Sequence, residues 1–564
     1  MTISDNLLEL SGLTLRYGAT KALDDVSLRV PRGGTLGIVG ESGSGKSSLA
    51  ACILRLLPPT ATIETGRIVF DGDDLLGLSE ERMRRLRGSR ISFISQDPLR
   101  ALVPTLTVGQ LMTDIQFRRR DSRATKRRRA IEMLEKVGVP DSAQRLASYP
   151  HELSGGQRQR VSIAMAMMVK PDLLIADEPT TALDATIEAQ ILDLLKQLQR
   201  DVGCSMIFVT HDLGTVPVMC DEVAIMRHGI VREAGPVATV FKNPTDDYTR
   251  MLLRCDPARI VTPTRRLPTT ADPLDAPIRI EVGPANRIKT EEAPVLAVEG
   301  LRVTFRRRSL VRRLRGKGDF LIEAVKGASL SVQPGETVAL VGESGSGKTT
   351  LARAVMGLIR PDAGLIRIGD REVTQISRRE MNAVRREIAM MFQDPVGSLS
   401  PRFKVGHLVT EPLRVHRRNP GDLSAEAVRL LDLVGLDAGY ARRYPHELSG
   451  GQARRVGVAR ALALSPKILI ADEPTAGLDL SIQGEVLNLL AEIQEQSGIA
   501  MLVITHNLAV VRHVSDRTIV MYRGEFLEEG ATEKIFAAPQ HDYTRRLLAA
   551  SRHDYALNGK HTYK

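Results

Sequence analysis

Eight residues, GESGSGKS from Gly40 to Ser47, combine glycines, a lysine and a hydroxyl in an order suited to wrapping an anion, and the octet returns as GESGSGKT from Gly342 to Thr349. Between a buried strand and a helix, G-x-x-x-x-G-K-[ST] forms a loop whose backbone N–H groups face a phosphate chain at a helix N-terminus. Gly40, Gly43 and Gly45 belong to the first loop, and Gly342, Gly345 and Gly347 to the second. In this reading Lys46 and Lys348 reach the β- and γ-phosphates, and Ser47 and Thr349 place a hydroxyl on Mg2+. Ser48 and Thr350 stand next in the chain and complete the phosphate-binding set.

Each loop has an acidic counterpart. The apolar runs LLIADE (Leu173 to Glu178) and ILIADE (Ile468 to Glu473) end in Asp-Glu. Asp177 and Asp472 are placed to hold the same ion, and Glu178 and Glu473, one residue on, to polarise the water that attacks the γ-phosphate in line. Asp-Glu-Pro-Thr in both copies argues against ordinary surface carboxylates. His211 and His506 end the apolar strands SMIFVTH and MLVITH. A lone histidine there is ordinarily structural, so their role rests on the complete set. LSGGQ occurs twice as well, with Ser154, Gly155, Gly156 and Gln157 matched by Ser449, Gly450, Gly451 and Gln452. Ser154 or Ser449 can cap the helix that follows, and the glycine pairs let backbone N–H groups approach an anion. With the phosphates already held by the lysine loop of the same half, this second anion site makes sense as a lid contributed across an interface.

These residues need elements to position them, and the elements repeat too. The lysines lie 302 residues apart, Gln96 and Gln393 lie 297 apart, and the signature serines 295 apart. So small a drift identifies a tandem repeat of one ATPase unit. In the first copy Val26, Leu28 and Val30 alternate as a strand, and helical spacing begins after Lys46 with Leu49, Ile53 and Leu56 or Leu57. Leu330 and Val332 precede the second loop, and Leu351, Val355 and Leu358 follow it. The charged, mainly helical stretches from Gln96 to Leu153 and from Gln393 to Leu448 are expected as helical subdomains inserted into each α/β core. Met165, Met167 and Met168 are read as core packing. The expected domains are 1–255 and 294–552, with a tail at 553–564. Residues 256–293, with six prolines from Pro257 to Pro284 and a seventh just beyond at Pro294, are expected as a linker; a flexible chain of that length would reach about 35 Å, and the prolines stiffen and extend it.

The 564 residues exceed one hydrophobic core. With 43% hydrophobic and 26% charged residues, the composition is that of a folded globular chain. No apolar run approaches membrane-spanning length and MTISDNLLEL lacks the pattern of a signal peptide, so a cytosolic location is expected. The formal charge is +11, with basic runs at Arg118 to Arg129 and Arg306 to Lys317. A solvated face explains either run; attraction to anionic lipid or nucleic acid is the alternative. The four cysteines, Cys52, Cys204, Cys220 and Cys255, contain no CxxC pair and read as small hydrophobes in a reducing compartment.

Taken together these motifs resemble the ATP-binding cassette (ABC) family over nearly the whole chain. The resemblance implies an α/β fold of two tandem P-loop nucleotide-binding domains, each with a RecA-like core, an antiparallel β-subdomain and an inserted helical subdomain. It also implies a head-to-tail sandwich holding two ATP molecules with Mg2+. One site would comprise Lys46, Ser47, Gln96, Asp177, Glu178 and His211 with Ser449, Gly451 and Gln452. The other would comprise Lys348, Thr349, Gln393, Asp472, Glu473 and His506 with Ser154, Gly156 and Gln157. By the same resemblance Gln96 and Gln393 share in holding Mg2+ and in catalysis, Asp184 and Asp479 match the loop that couples the sites, and Tyr17 and Phe305 match an aromatic that stacks on adenine. Neither copy has lost a catalytic position, so both are expected to hydrolyse ATP.

Finer resemblance points to importers of peptides, nickel and opines. It rests on QDPLRALVP (Gln96 to Pro104), QDPVGSLSP (Gln393 to Pro401), YPHELSGGQ in both halves, and the tails NPTDDYTRMLL (Asn243 to Leu253) and APQHDYTRRLL (Ala538 to Leu548). The implied partners are two integral-membrane permeases and an extracytoplasmic binding protein, with the chain peripheral on the cytoplasmic face of the inner membrane. Peptides come first as substrate, then opines, glutathione-like compounds or nickel. Many relatives carry a cysteine-rich tail; here only Cys255 follows the first YT segment and none follows the second, so no iron-sulfur cluster is expected. The zinc cysteines of the DNA-repair type are missing and the linker is proline-rich, so no nucleic-acid partner is expected either. Ser95 departs from the aromatic usual at its position. The competing class is a soluble tandem ATPase acting on ribosomes or DNA.

Overall fold

The computed structural model describes residues 5–181, 183–260, 262–274, 292–307, 320–392, 394–418 and 421–551. Gln393, most of the second basic run, and the expected tail at 553–564 lie outside them. The described chain divides into two units, one ending at Asp256 and one running from Pro257 to Ser551.

In the first unit the strands are β1 (Asn6–Tyr17), β2 (Thr20–Pro31), β3 (Thr35–Val39), β4 (Ala61–Phe70), β5 (Asp73–Asp74), β6 (Ile91–Ile94), β7 (Leu173–Asp177), β8 (Ser205–Thr210), β9 (Glu222–Arg227) and β10 (Ile230–Pro236). The period-2 alternation noted in β2 suits a sheet with one wet face, and β2-β1-β4-β5 is antiparallel. By contrast β3, β7 and β8 are apolar without alternation and buried at every residue. They lie inside a six-stranded sheet of order β10-β9-β3-β8-β7-β6, parallel except for the edge strand β10. In an open α/β sheet of this kind ligands bind beyond the carboxyl ends of the strands. Those ends carry the lysine loop after β3, the Asp-Glu pair at β7, His211 after β8 and Gln96 after β6.

The second unit repeats the plan. Its strands are β11 (Leu296–Arg307), β12 (Phe320–Val332), β13 (Thr337–Val341), β14 (Ala363–Ile368), β15 (Arg371–Glu372), β16 (Ile388–Met391), β17 (Ile468–Asp472), β18 (Ala500–Thr505), β19 (Arg517–Tyr522) and β20 (Glu525–Ala531). They form an antiparallel β12-β11-β14-β15 sheet and a β16-β17-β18-β13-β19-β20 sheet with the same single antiparallel edge.

Helices occupy the stretches between the glutamines and the signatures, among them Val108–Asp114 and Arg123–Lys136 in one unit and Val405–Val415 and Leu423–Asp432 in the other. Helix Arg123–Lys136 buries Ala130 and Leu134 and leaves Arg123, Arg127 and Arg128 exposed, so this part of the first basic run is a solvated helix face. Met167 and Met168 are buried in the signature helix Gly155–Met168, and all four cysteines are buried thiols outside any disulfide.

Residues 257–260 and 262–274, which open the proline-rich segment read as the linker, belong to the second unit and lie on it as a strap. Ile260 and Leu267 pack against Leu487 and Val510. The peptide of Leu267 is bonded on both sides by one buried side chain: its N–H donates to Asn488 Oδ1 at 2.8 Å and its carbonyl accepts from Asn488 Nδ2 at 2.8 Å. Arg265 donates to Asp516 at 2.9 Å. Buried His513 accepts from the Thr264 N–H at 3.1 Å through Nδ1, so Nε2 carries the proton and donates to the Pro257 carbonyl at 3.1 Å. Extended, proline-rich chain has no internal hydrogen-bond ladder, and these side chains supply the partners its backbone needs.

Burial, aided by the charge of Arg512, pushes the pKa of His513 below the usual histidine value. A group whose folded pKa is depressed is protonated first in the unfolded chain, so its stabilisation is present at neutral pH and fades below about pH 6.5. Two results are expected. Asn488→Ala destabilises the second unit by about 2 kcal/mol, because two buried backbone groups lose their partners, and exposes the strap to limited proteolysis between residues 256 and 275. Acidification from neutral pH toward pH 5 has the same effect on the wild type, and His513→Gln weakens that pH dependence in thermal unfolding.

Candidate ATP sites

The lysine loop of the first unit enters helix Lys46–Leu54 through Gly45, whose φ is 105°. A side chain there would place its Cβ 2.7 Å from the Ala22 carbonyl oxygen, so the loop closes only with glycine. Lys46 is buried, and its Nζ donates to the carbonyls of Gly40 at 2.6 Å and Glu41 at 2.9 Å. Lys348 makes the same pair of bonds, to Gly342 at 2.7 Å and Glu343 at 2.9 Å. Each ammonium thus lies under the arch of its own loop.

At the end of β7 the backbone of Glu178 turns left-handed, with φ 46°, and Glu473 after β17 does the same with φ 51°. This conformation costs an L-residue energy and persists only where the surroundings impose it. The Glu178 N–H donates to the Val209 carbonyl at 2.9 Å and the Glu473 N–H to that of Ile504 at 2.8 Å, so the neighbouring strand holds each twist. One consequence is that the aspartate and the glutamate, though adjacent, meet different groups. Asp177 is bonded to Ser47, and Thr349 Oγ1 donates to Asp472 Oδ1 at 3.3 Å. Glu178 receives Gln96 Nε2 at 2.7 Å and Thr181 Oγ1 at 2.8 Å, and His211 Nδ1 stands 3.1 Å from its other oxygen. Glu473 meets His506 Nδ1 at 2.8 Å and Thr505 Oγ1 at 3.3 Å.

The electrostatics separate the two carboxylates. Burial, together with the neighbouring Glu178, raises the pKa of Asp177, and burial with Glu473 raises that of Asp472. Oδ1 of Asp177 is buried with no hydrogen-bond partner among the described residues. A hydroxyl beside a buried carboxylate with an open oxygen is a donor set that fits Mg2+, whose remaining ligands come from phosphate and water. For Glu178 burial acts upward, but the bond and charge of His211, with Thr181 and Lys46, outweigh it and bring the pKa down to about 2. Glu178 is therefore an anion throughout the physiological range.

The remaining predicted residues fall as follows. Ser154 caps the signature helix in a reciprocal box with Gln157, and Ser449 does so with Gln452. Ser154, Gly155, Ser449 and Gly450 are exposed, leaving both helix N-termini open to solvent. Asp184 caps helix Ala185–Val202 through the Ile187 N–H, whereas Asp479 is buried at the start of helix Leu480–Ser497. Tyr17 ends β1 half-buried, with its hydroxyl 3.4 Å from Ser48 Oγ. Phe305 lies exposed on β11, opposite Ile322 of β12.

The sequence matches the family model described as ABC transporter at residues 23–181 and 325–476. The chain belongs to the ABC transporter family. Residues 527–556 match a second model, the C-terminal region of oligopeptide/dipeptide transporters. The glutathione import ATP-binding protein GsiA of Salmonella choleraesuis (strain SC-B67) is 43% identical over 96% of this chain and 89% of its own length. Its namesake in Escherichia coli (strain K12) is 42% identical over the same shares. Among solved structures, the ATP-binding cassette MJ0796 with ADP and Pi is 29% identical, covering 42% of this chain and 98% of that one with a TM-score of 0.38. This ABC protein is accordingly an ATPase, the ATP-binding subunit of an importer of the glutathione/oligopeptide type; the soluble alternative finds no support among these relatives.

Sequence reading missed several partners of the ABC carboxylates. Thr181 braces Glu178, while its counterpart Ala476 has no hydroxyl, a difference legible in DEPTT against DEPTA. More consequential is Arg454, five residues after Ser449. It is buried and donates to the carbonyls of Glu473 at 2.8 Å and Ala476 at 2.8 Å, tying the signature helix to the turn that carries Glu473. Burial lowers its pKa, with the negative charges of Asp394 and Glu473 acting against that. The first copy has Gln159 there, and its buried amide nitrogen finds no partner among the described residues. The two halves are therefore not equally braced. Arg454→Ala is expected to cost about 2–3 kcal/mol in thermal or urea unfolding, as for lost bonds from a charged donor, and Gln159→Ala about 1 kcal/mol or less.

Proposed function

We propose that this ABC ATPase powers uptake of short peptides or closely related solutes such as glutathione, through two integral-membrane permeases fed by an extracytoplasmic binding protein, from the cytoplasmic face of the membrane. The observation that carries the reading is the extent of the likeness: 43% identity to a glutathione import ATP-binding protein runs through 96% of the chain, both cassettes included. The tail match to oligopeptide and dipeptide transporters supports the same solute class.

Within each cassette the residues divide the chemistry as their surroundings suggest. Lys46 and Lys348 bind the β- and γ-phosphates. Ser47 with Asp177, and Thr349 with Asp472, hold Mg2+, which when bound neutralises charge developing on those phosphates. Glu178 and Glu473 orient the attacking water, with His211 and His506 fixing each carboxylate. Gln96 joins β6 to the helical insert and reaches Glu178 directly, and Gln393 is assigned the same part. The open signature helices suit the γ-phosphate of the nucleotide bound by the opposite half, which accounts for a capped, glycine-rich N-terminus that faces solvent. Closure around ATP then differs in free energy from the open state, and only that difference can move a permease.

Both sites turn over in this scheme. Glu178→Gln and Glu473→Gln should each slow hydrolysis at their own site by about a hundredfold or more, the low end of what a positioned base contributes, and the double variant should lower steady-state ATPase by that factor; full activity in Glu473→Gln would show that site to be silent. Tagging the chain in its native cell and identifying what copurifies from gently solubilised membranes tests the assembly. Two permeases and a binding protein loaded with a peptide or glutathione support it, and ribosomes or DNA-repair factors without a permease overturn it.

A further inference from the structure

The YT segments that follow each cassette have no part in the chemistry described so far, yet each ends at a lysine loop. Tyr248, in helix Asp247–Arg254, is buried, and its hydroxyl donates to Glu41 Oε2 at 3.2 Å. The Glu41 backbone N–H also bonds this phenol. Tyr543, 295 residues further on in helix Asp542–Ser551, is buried, and its hydroxyl accepts from the Glu343 backbone N–H at 3.1 Å. Glu41 and Glu343 are the second residues of the two loops, the ones whose carbonyls accept from Lys46 and Lys348.

The support behind each tyrosine is also repeated. Glu233 on β10 accepts the backbone N–H groups of Thr245 and Asp246, and Glu528 on β20 accepts those of Gln540 and His541. The face of each ring is covered from the same strand position, by the Arg227 guanidinium 4.5 Å from the Tyr248 centroid and by the Tyr522 ring 4.3 Å from that of Tyr543. The rings are thereby fixed, and a fixed ring fixes its hydroxyl.

We infer that Tyr248 and Tyr543 are positioning residues that brace the lysine loops for ATP, and that this is a function of the two tails. The inference rests on the reading of those loops as ATP sites. Its logic is that the second loop residue is held from two sides, by the lysine at its carbonyl and by the tyrosine at its N–H. Each bond the lysine turns toward a phosphate leaves the loop with less internal support, and the tyrosine is the support that ATP does not remove. A loop kept in its binding shape gives up less freedom when ligand arrives, so the brace acts on affinity. The second tail lies within residues 527–556, to which it gives a physical role.

The test uses the full chain, with a fluorescent ATP analogue for binding and steady-state ATPase for kinetics. Tyr248→Phe and Tyr543→Phe keep the ring and remove the hydroxyl. Each should raise the nucleotide Kd at its own site and the apparent KM about three- to tenfold, the worth of one net hydrogen bond, with kcat near wild type and the nucleotide-free unfolding midpoint lowered by no more than that one bond accounts for. Glu41→Ala added to Tyr248→Phe should cost less than the two separately, because they share one contact. Unchanged Kd and KM in both Tyr→Phe variants, with binding still lost in Lys46→Ala/Lys348→Ala, overturns the inference and leaves the ATP sites standing. A fall in kcat and unfolding midpoint without a shift in Kd also overturns it, since that is loss of structure. Undiminished binding in the lysine variant overturns the reading of the sites themselves.

Discussion

A left-handed twist at one residue after β7, and again after β17, is the constraint on which both sites depend. The parallel sheet delivers Asp177 and Asp472 pointing toward the lysine-loop helix. A regular strand would send the next side chain to the opposite face of the sheet. With φ near 50° at Glu178 and Glu473, and the N–H of each locked to the adjacent strand, the carboxylate turns toward the histidine after β8 or β18. The two carboxylates are thereby neighbours in sequence with separate partners, and their environments push the acidities of Asp177 and Glu178 in opposite directions.

The duplication preserves this frame and varies what surrounds it. Thr181 faces Ala476, Gln159 faces Arg454, and Arg227 faces Tyr522 in the aligned positions. Each pair changes how a fixed functional group is held while the group itself is kept. A buried guanidinium on two carbonyls of the turn after β17 is a stronger connection than an amide whose nitrogen has no partner among the described residues.

The segment after the first cassette shows how composition misleads. Its prolines and faded periodicity gave no sign of a docking site, because the groups that receive it, Asn488, His513 and Asp516, come from elements more than 200 residues later. Proline-rich backbone carries few local hydrogen bonds in any setting. Whether it is solvated or docked is decided by what lies beside it.

Much of each site was legible in advance. The lysine loops, the Asp-Glu pairs, the strand-end histidines and the capped signature helices were all assigned by residue, since each is a short run whose chemistry depends on spacing within one element and its junction. Strand and helix periods marked the strand, loop and helix around each lysine loop, and the core and antiparallel layer were expected from the family resemblance. What the sequence by itself determined, then, was the inventory and the order: two α/β cassettes, each with one phosphate loop and one acidic strand end. The tertiary structure alone decided the strap formed by residues 257–260 and 262–274, the grip of Arg454 on the turn after β17, and the reach of Tyr248 and Tyr543 to Glu41 and Glu343. Those contacts join residues 19 to about 250 positions apart. No local period or motif encodes such a pairing, which arises from the energy of burying one group against another once the sheets have brought them together.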